Sequence, residues 1–261
     1  MTLVTLTTDF GTRDPYVGVM KGVILSMAPK ARVVDITHDI EAHNIAEAAF
    51  VLRSIWAWYP EGTIHVAVVD PGVGSERRVL LGRYEGRYVI APDNGLITLV
   101  HRSLRLEEMR VVENRRYLLP HTSSTFHGRD IMAPVAAHMV NGVKAMEFGR
   151  PTDHVEMLPL AYRPDTIARR IRGQVLYVDR FGSLVTNITS QDLKALTTNK
   201  EPVEVLVNGT TVGPVRSFYE EVAPGQPLAL IGSTDNLEIA VNRGRAVDRF
   251  GPVGEIRIEV H

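Results

Sequence analysis

Apolar and polar positions are patterned differently in the two halves of this chain. In the first half, short apolar runs alternate with longer stretches of helical spacing. Leu3 to Thr7 reads as a buried strand ending at the polar turn Thr8-Asp9-Phe10-Gly11. Asp14-Pro15 has the form of a helix start, with Asp as N-cap and Pro at the first helical position, and Pro29 stops the apolar stretch that follows. Arg32 to Thr37 is the next strand. Asn44 and Glu47 have capping-box spacing and open a helix over 45–59, with Ile45, Ala48, Ala49, Leu52, Ile55 and Trp56 on one face. Thr63 to Val69 is apolar enough for the middle of a sheet. Val79 to Arg83 and Tyr88 to Ala91 bracket a hairpin turn, and Gly128 to Asn141 reads as a helix with Pro134 near its first turn.

The β-α-β-α-β opening predicts an α/β domain with a mainly parallel sheet. Near Pro159 to Pro164 the pattern changes. Short alternating stretches follow at 173–179, 183–189, 203–207, 228–232, 237–241 and 254–260, with Asn208-Gly209 as a hairpin signal. These predict a smaller all-β, barrel-like domain. The expected division is 1–164 for the α/β domain and 165–261 for the second.

Composition narrows the setting. The 261 residues carry a formal net charge of -1 with both signs dispersed, which argues against nucleic acid as a partner. There are no cysteines, so disulfides, thiol nucleophiles and thiolate metal sites are excluded together. No apolar run approaches the roughly 20 residues of a membrane span. The opening residues MTLVTLTTDF read as a first strand, not a leader, and the expected residence is cytoplasmic.

Strand placement then gives the polar residues meaning. In an open α/β sheet, ligands bind outside the carboxyl ends of the strands. Asp9, Asp35 with His38, and Asp70 all fall at or just past strand ends. The segment VVDPGVGSERR at 68–78 carries Asp70 into a Pro-Gly turn and on to Arg77, and STFHGRD at 124–130 presents His127. An acid, a cation and an imidazole in exposed loops suit the positioning or activation of water. The plain alternative is an Asp-Arg ion pair clamping a glycine-rich loop. Metal binding is a rival, since Asp9, Asp35, His38, Asp39, Asp70, His127 and Asp130 are possible ligands, but no spacing typical of a metal motif is present. Gly72-Val73-Gly74 lacks both a dinucleotide fingerprint and a P-loop, and predicts close backbone approach to a neutral or cationic ligand.

Several motifs together carry a resemblance. TLTTDFGTRDPYVGVMKG, VVDITHDI, YPEGTIHVAVVDPGVG, IAPDNGLIT, TFHGRD, YVDRFGSLVTNI and LEIAVNRG occur in the order found in the S-adenosyl-L-methionine hydrolases, relatives of the nucleophilic fluorinases and chlorinases. The chain resembles that family over nearly its whole length. The resemblance implies cleavage of S-adenosyl-L-methionine to adenosine and L-methionine, with no metal and no cofactor. It also implies a homotrimer with active sites between neighbouring subunits. Asp70, Arg77 and His127 match the catalytic set. Asp9 matches the acid that binds the ribose hydroxyls, and Asp179 the acid near the methionine amino group. Phe126, Phe181 and Phe218 match substrate-contacting aromatics, and Ser183, Ser233, Glu238 and Asn242 lie in substrate-binding segments. The halogenase relatives replace the residues corresponding to Asp70 and His127. Ser183 stands where Asn is usual, and Thr234-Asp235-Asn236 departs from the usual turn.

The expected mechanism is in-line attack of a positioned water or hydroxide at the ribose C5′. The sulfonium is already a good leaving group, so an oriented nucleophile is what the site must supply. The alternatives are a halogenase, which Asp70 and His127 argue against, and a protein that binds an adenosyl compound without turnover. Phe181 and Phe218 have a second reading as buried core.

Overall fold

A computed structural model describes residues 2–160, 163–165, 170–196, 203–251 and 258–260. The chain forms two compact units, Met1–Leu158 and Pro159–His261.

In the first unit the elements run β1 (Leu3–Thr8), α1 (Tyr16–Met27), β2 (Arg32–Thr37), α2 (Ile45–Ile55), β3 (Ile64–Val68), β4 (Val79–Tyr84), β5 (Arg87–Pro92), α3 (Thr98–Ser103), β6 (Leu106–Val111) and α4 (Ala133–Val140). The sheet order is β2-β1-β3-β5-β4-β6. β1 pairs in parallel with β2 and β3, and β3 with β5, whereas β4 runs antiparallel to β5 and β6. The sheet is therefore mixed. Successive side chains of a strand face opposite ways, and both faces are covered. Val4, Leu6, Val66 and Val68 pack with Val17, Met20 and Ile24 of α1 and with α4. Ala67, Val69 and Leu80 pack on the other side with Ala48 and Leu52 of α2 and Val100 of α3.

The local signals were met unevenly. Asn44 caps α2 by accepting the Glu47 N–H (3.1 Å). Asp14 does not cap α1, which starts at Tyr16 after Pro15 with no side-chain cap bond. The helix expected over 45–59 ends at Ile55 and passes into a 3-10 turn at Trp56–Trp58. The expected 128–141 helix begins as one π turn, Gly128–Met132.

In the second unit the elements are β7 (Arg163–Asp165), β8 (Arg170–Gly173), β9 (Val175–Val178), β10 (Leu184–Thr189), α5 (Ser190–Leu196), β11 (Glu204–Val207), β12 (Thr210–Arg216), β13 (Pro227–Ile231), β14 (Asn236–Val241), α6 (Ala246–Phe250) and β15 (Ile258–Val260). The described strands order as β7-β8-β15-β11-β12-β13-β14-β10-β9, antiparallel throughout except for β12 with β13. Asn208 and Gly209, at φ 52 and 77, turn the β11–β12 hairpin with both residues left-handed. The all-β expectation is corrected by α5 and α6, whose Leu193, Leu196 and Ala246 join the core. Residues 254–257 of the last expected strand lie outside the described residues.

Candidate active site

The chain passes from β1 to β2 on one side and returns to β3 on the other, so the topological switch point lies between β1 and β3. Thr8 pairs with Val68. Asp9 and Asp70 therefore leave the sheet side by side from adjacent carboxyl ends. Both carboxylates are held nearly out of solvent, with side-chain exposures of 8% and 4%.

After β3 the backbone folds through two consecutive turns, with Val73 N–H donating to Asp70 O and Ser75 N–H to Gly72 O (both 3.1 Å). Ser75 Oγ donates to Gly72 O (2.7 Å), tightening the loop that returns Arg77 toward Asp70. Arg77 Nε donates to Asp70 Oδ1 (2.7 Å), and its Nη2 pairs with Oδ2, making the planar fork that suits guanidinium and carboxylate. The same Nη2 donates to His127 Nδ1 at 2.8 Å. A guanidinium cannot accept a hydrogen bond, so Nδ1 is the acceptor and the ring carries its proton on Nε2. Burial first, and then the Arg77 charge, lowers the His127 pKa, against the opposing pull of Asp70 and Asp130. Arg77 Nη1 is buried with no hydrogen-bond partner among the described residues.

Gly74 explains how two distant loops assemble this cluster. Its φ is +82°, and a Cβ built there would lie 2.2 Å from the Ser124 carbonyl oxygen. The close approach expected here to a ligand is corrected at Gly74, where the backbone of the His127 loop takes the space instead. Asn94 gives further support, donating from Nδ2 to Val69 O (2.9 Å) beside Asp70.

Asp70 and His127 line a cavity of about 310 Å³ together with Asp9 and His43. Phe10, Tyr16 and Phe126 form its apolar wall, with ring centroids 5.2 to 5.8 Å apart. His43, at φ 69, turns its backbone N–H onto Asp9 Oδ2 (3.0 Å). His38 is buried behind the Asp9 turn, with its carbonyl accepting Gly11 N–H (2.8 Å) and its Nδ1 bonded to Thr8 Oγ1 (2.9 Å). Asp35 pairs with Lys21 (2.5 Å) through Oδ2, and its Oδ1 lies 3.0 Å from His38 Nε2. Among the described residues no group of three or more His, Cys, Asp or Glu is gathered as a metal would require.

The other named residues occupy the second unit. Asp179 Oδ1 accepts Ser183 N–H (2.8 Å), closing the turn between β9 and β10. Ser183 and Phe181 line a cavity of about 470 Å³ with Tyr219, Arg243 and Arg245, none of which the sequence reading singled out. The Tyr219 phenol pKa is raised by burial and by the nearby Glu238 and Asp179 charges. Burial, then Asp179, also raises the Glu238 pKa. Gly232 leaves the room this carboxylate occupies, since a Cβ there would lie 1.7 Å from Glu238 Oε1. Phe181 and Phe218 are 76% and 56% exposed, so neither is core. Asn242 Nδ2 donates to Val222 O (2.7 Å), and Ser233 sits exposed on the β13–β14 turn. The aromatic at 219 and the Asn-Arg-Gly turn at 242–244 were the available signals for the missed residues.

An α/β unit with its acid-bearing site at the sheet's switch point, followed by a β-rich unit, defines a class of two-domain proteins, and sequence comparison names it. Residues 4–149 match the SAM hydroxide adenosyltransferase N-terminal domain and residues 173–255 match the C-terminal domain of the same name. The chain belongs to the SAM hydroxide adenosyltransferase family. It is 38% identical over 256 residues to the (R)-S-adenosyl-L-methionine hydrolase of Thermus thermophilus, covering 93% of each chain. A fluorinase of Actinoplanes is more distant, at 27% identity with 92% of this chain and 91% of the relative covered. A solved structure of an uncharacterized conserved protein from Thermotoga maritima superposes with a TM-score of 0.88 at 34% identity, covering 100% of this chain and 99% of the other.

Proposed function

We propose that this protein hydrolyses S-adenosyl-L-methionine, and in particular its (R)-sulfonium epimer, to adenosine and L-methionine. The observation that carries the reading is Asp70 and His127, bridged by Arg77, in the wall of a cavity at the sheet's switch point. The epimer rests on the name of the Thermus relative.

The chemistry needs little beyond orientation. A water oxygen forms the new bond to C5′, the C5′–S electron pair leaves with sulfur as the neutral thioether of methionine, and the proton of water passes to solvent. A cavity with two carboxylates, Asp9 and Asp70, and aromatic walls suits a cationic sulfonium joined to a nucleoside. Asp9 is the group for the ribose hydroxyls. Asp70 and His127 orient the water, and Arg77, held by both, keeps the pair in register. In the second unit, Asp179 and Glu238 are the acids for the methionine ammonium, and Phe181, Phe218 and Ser183 are adenosine contacts. Phe126 contributes to the wall of the first cavity.

The same reading holds that catalysis uses neither metal nor cofactor. It also makes the working protein a homotrimer with sites at subunit interfaces, resident in the cytoplasm, with a barrel-like second domain. Among the described residues no helix is long and apolar enough to cross a membrane.

The test is incubation with each purified epimer, with and without chloride and with a chelator, followed by chromatography. Adenosine and methionine formed from the (R) epimer without halide are expected, together with loss of turnover but retained binding in Asp70→Ala and His127→Ala. Formation of 5′-halo-5′-deoxyadenosine, binding without products, or loss of activity with the chelator would each overturn the reading.

A further inference from the structure

Asp130 is a buried carboxylate that the proposed hydrolysis does not use. It is 0% exposed and sits on the π turn Gly128–Met132, which begins directly after His127. A π turn disrupts the regular helical hydrogen-bond ladder, and such turns cluster at functional sites. Here the turn lets a side chain three residues past the imidazole reach back over the loop before it.

The contacts form a closed circuit. Asp130 Oδ2 accepts Ser123 N–H (2.8 Å), and its backbone carbonyl accepts Leu119 N–H (3.0 Å). Ser123 Oγ accepts Phe126 N–H (3.1 Å), bracing the segment that leads into His127. One residue further on, Ser124 O meets the bare face of Gly74, where the Asp70–Arg77 loop docks. On its far side Asp130 Oδ1 takes Arg129 Nε (2.5 Å), with the Arg129 guanidinium over the Phe126 ring at 5.2 Å.

We propose that Asp130 is the positioning residue of this site: its buried carboxylate holds the Ser123–His127 loop against Gly74 and supplies a negative charge beside the imidazole that Arg77 grips. The inference rests on the hydrolase reading for its catalytic meaning. The charged groups on the imidazole are Asp70 and Arg77 from one loop and Asp130 from the π turn, where Arg129 is paired to Asp130, while Asp9 and His43 share the cavity. Arg77 donates to Nδ1, so a displacement of the Ser123–His127 loop moves the imidazole off its donor.

Asp130→Asn and Asp130→Ala separate geometry from charge. Asn keeps an acceptor for the Ser123 N–H and removes the charge; Ala removes both. The first readout is the titration of His127 by NMR of the full-length histidine-labelled protein, with the resonance assigned by His127→Gln. In Asp130→Asn the His127 titration is expected to move to lower pH, because imidazolium loses a neighbouring anion. The second readout is turnover of S-adenosyl-L-methionine. In Asp130→Ala, kcat is expected to fall about 10- to 100-fold with KM within about threefold, the signature of a displaced reacting group. An Asp130→Asn titration that superimposes on wild type, or an Asp130→Ala enzyme with unchanged kcat, would overturn the proposal. If Asp130→Ala does not fold, the Asn variant decides. The NMR readout needs no turnover, so a wild-type protein that leaves the substrate intact counts against the hydrolase reading and not against the role of Asp130 in setting the imidazole.

Discussion

Arg77 Nη2 donates to His127 Nδ1 across 2.8 Å, although the two residues are 50 positions apart in the chain. That bond selects the imidazole tautomer. With Asp70 gripping the other edge of the guanidinium, it converts two loops into one rigid group.

Replacing Arg77 by Lys keeps the charge and removes the fork. An ammonium cannot reproduce the planar arrangement that serves Asp70 and His127 together. We expect kcat to fall by about 100- to 1000-fold, the scale for losing a pre-organised donor, with KM little changed. Arg77→Ala leaves the nearly buried Asp70 carboxylate uncompensated, and urea melts are expected to show a loss of about 3–5 kcal/mol. Wild-type turnover in Arg77→Lys would refute this.

The pH dependence follows from His127. Its pKa is lowered from 6.5 by burial and then by Arg77. The neutral ring, which accepts from Arg77, thus persists to lower pH than in a free histidine. The acid limb of the kcat/KM profile is expected to have its inflection below 6.5, measured with adenosine formation as the readout. An inflection at or above the ordinary histidine value would contradict it.

Glycines 72 and 74 offer a paired test of loop docking. A Cβ at Gly74 would strike Ser124 O at 2.2 Å with φ at +82°, whereas at Gly72 it would meet Ser75 Oγ at 3.6 Å and Arg77 Cγ at 3.7 Å, ordinary contacts. Gly74→Ala is expected to cost about 1–3 kcal/mol and most of the activity, and Gly72→Ala less than about 1 kcal/mol. Thermal melts and initial rates check both.

His65 is expected to make the fold acid-sensitive. It is 0% exposed, bonded to Thr5 Oγ1 (2.8 Å), and burial pushes its pKa down to about 3. The unfolded chain then binds a proton that the folded chain refuses. The neutral ring's contribution is therefore complete above the unfolded value near 6.5 and is lost as pH falls toward about 3. The expected slope is about 1.4 kcal/mol per pH unit within that window. His65→Gln should flatten the dependence in urea titrations at pH 7, 5 and 4, and an unchanged slope would refute the assignment.

Local patterns were legible wherever one residue's chemistry decided the outcome. Asn44 caps α2 through its side chain, and Asn208-Gly209 turns a hairpin because both residues accept positive φ. Asp14 failed as a cap because no side-chain bond forms there and α1 begins two residues later. Thr98–Ser103 and Leu106–Val111 were not anticipated, since their helix and strand are selected by packing on the sheet. Phe181 and Phe218 are open to either a core or a surface reading in sequence, and only the burial around them chooses exposure.

By itself the sequence determined the alternation of strand and helix, the change to β structure past Pro159, and the identities of Asp70, Arg77 and His127 on loops. These follow from periodicity and from side-chain chemistry, which are local properties. What only the tertiary structure decided is that Arg77 bridges Asp70 and His127, that Gly74 is bare because the Ser124 backbone lies on it, and that Asp130 braces the loop from beneath. Those contacts arise where sheet order and loop docking bring distant segments together, and spacing along the chain carries no record of that proximity.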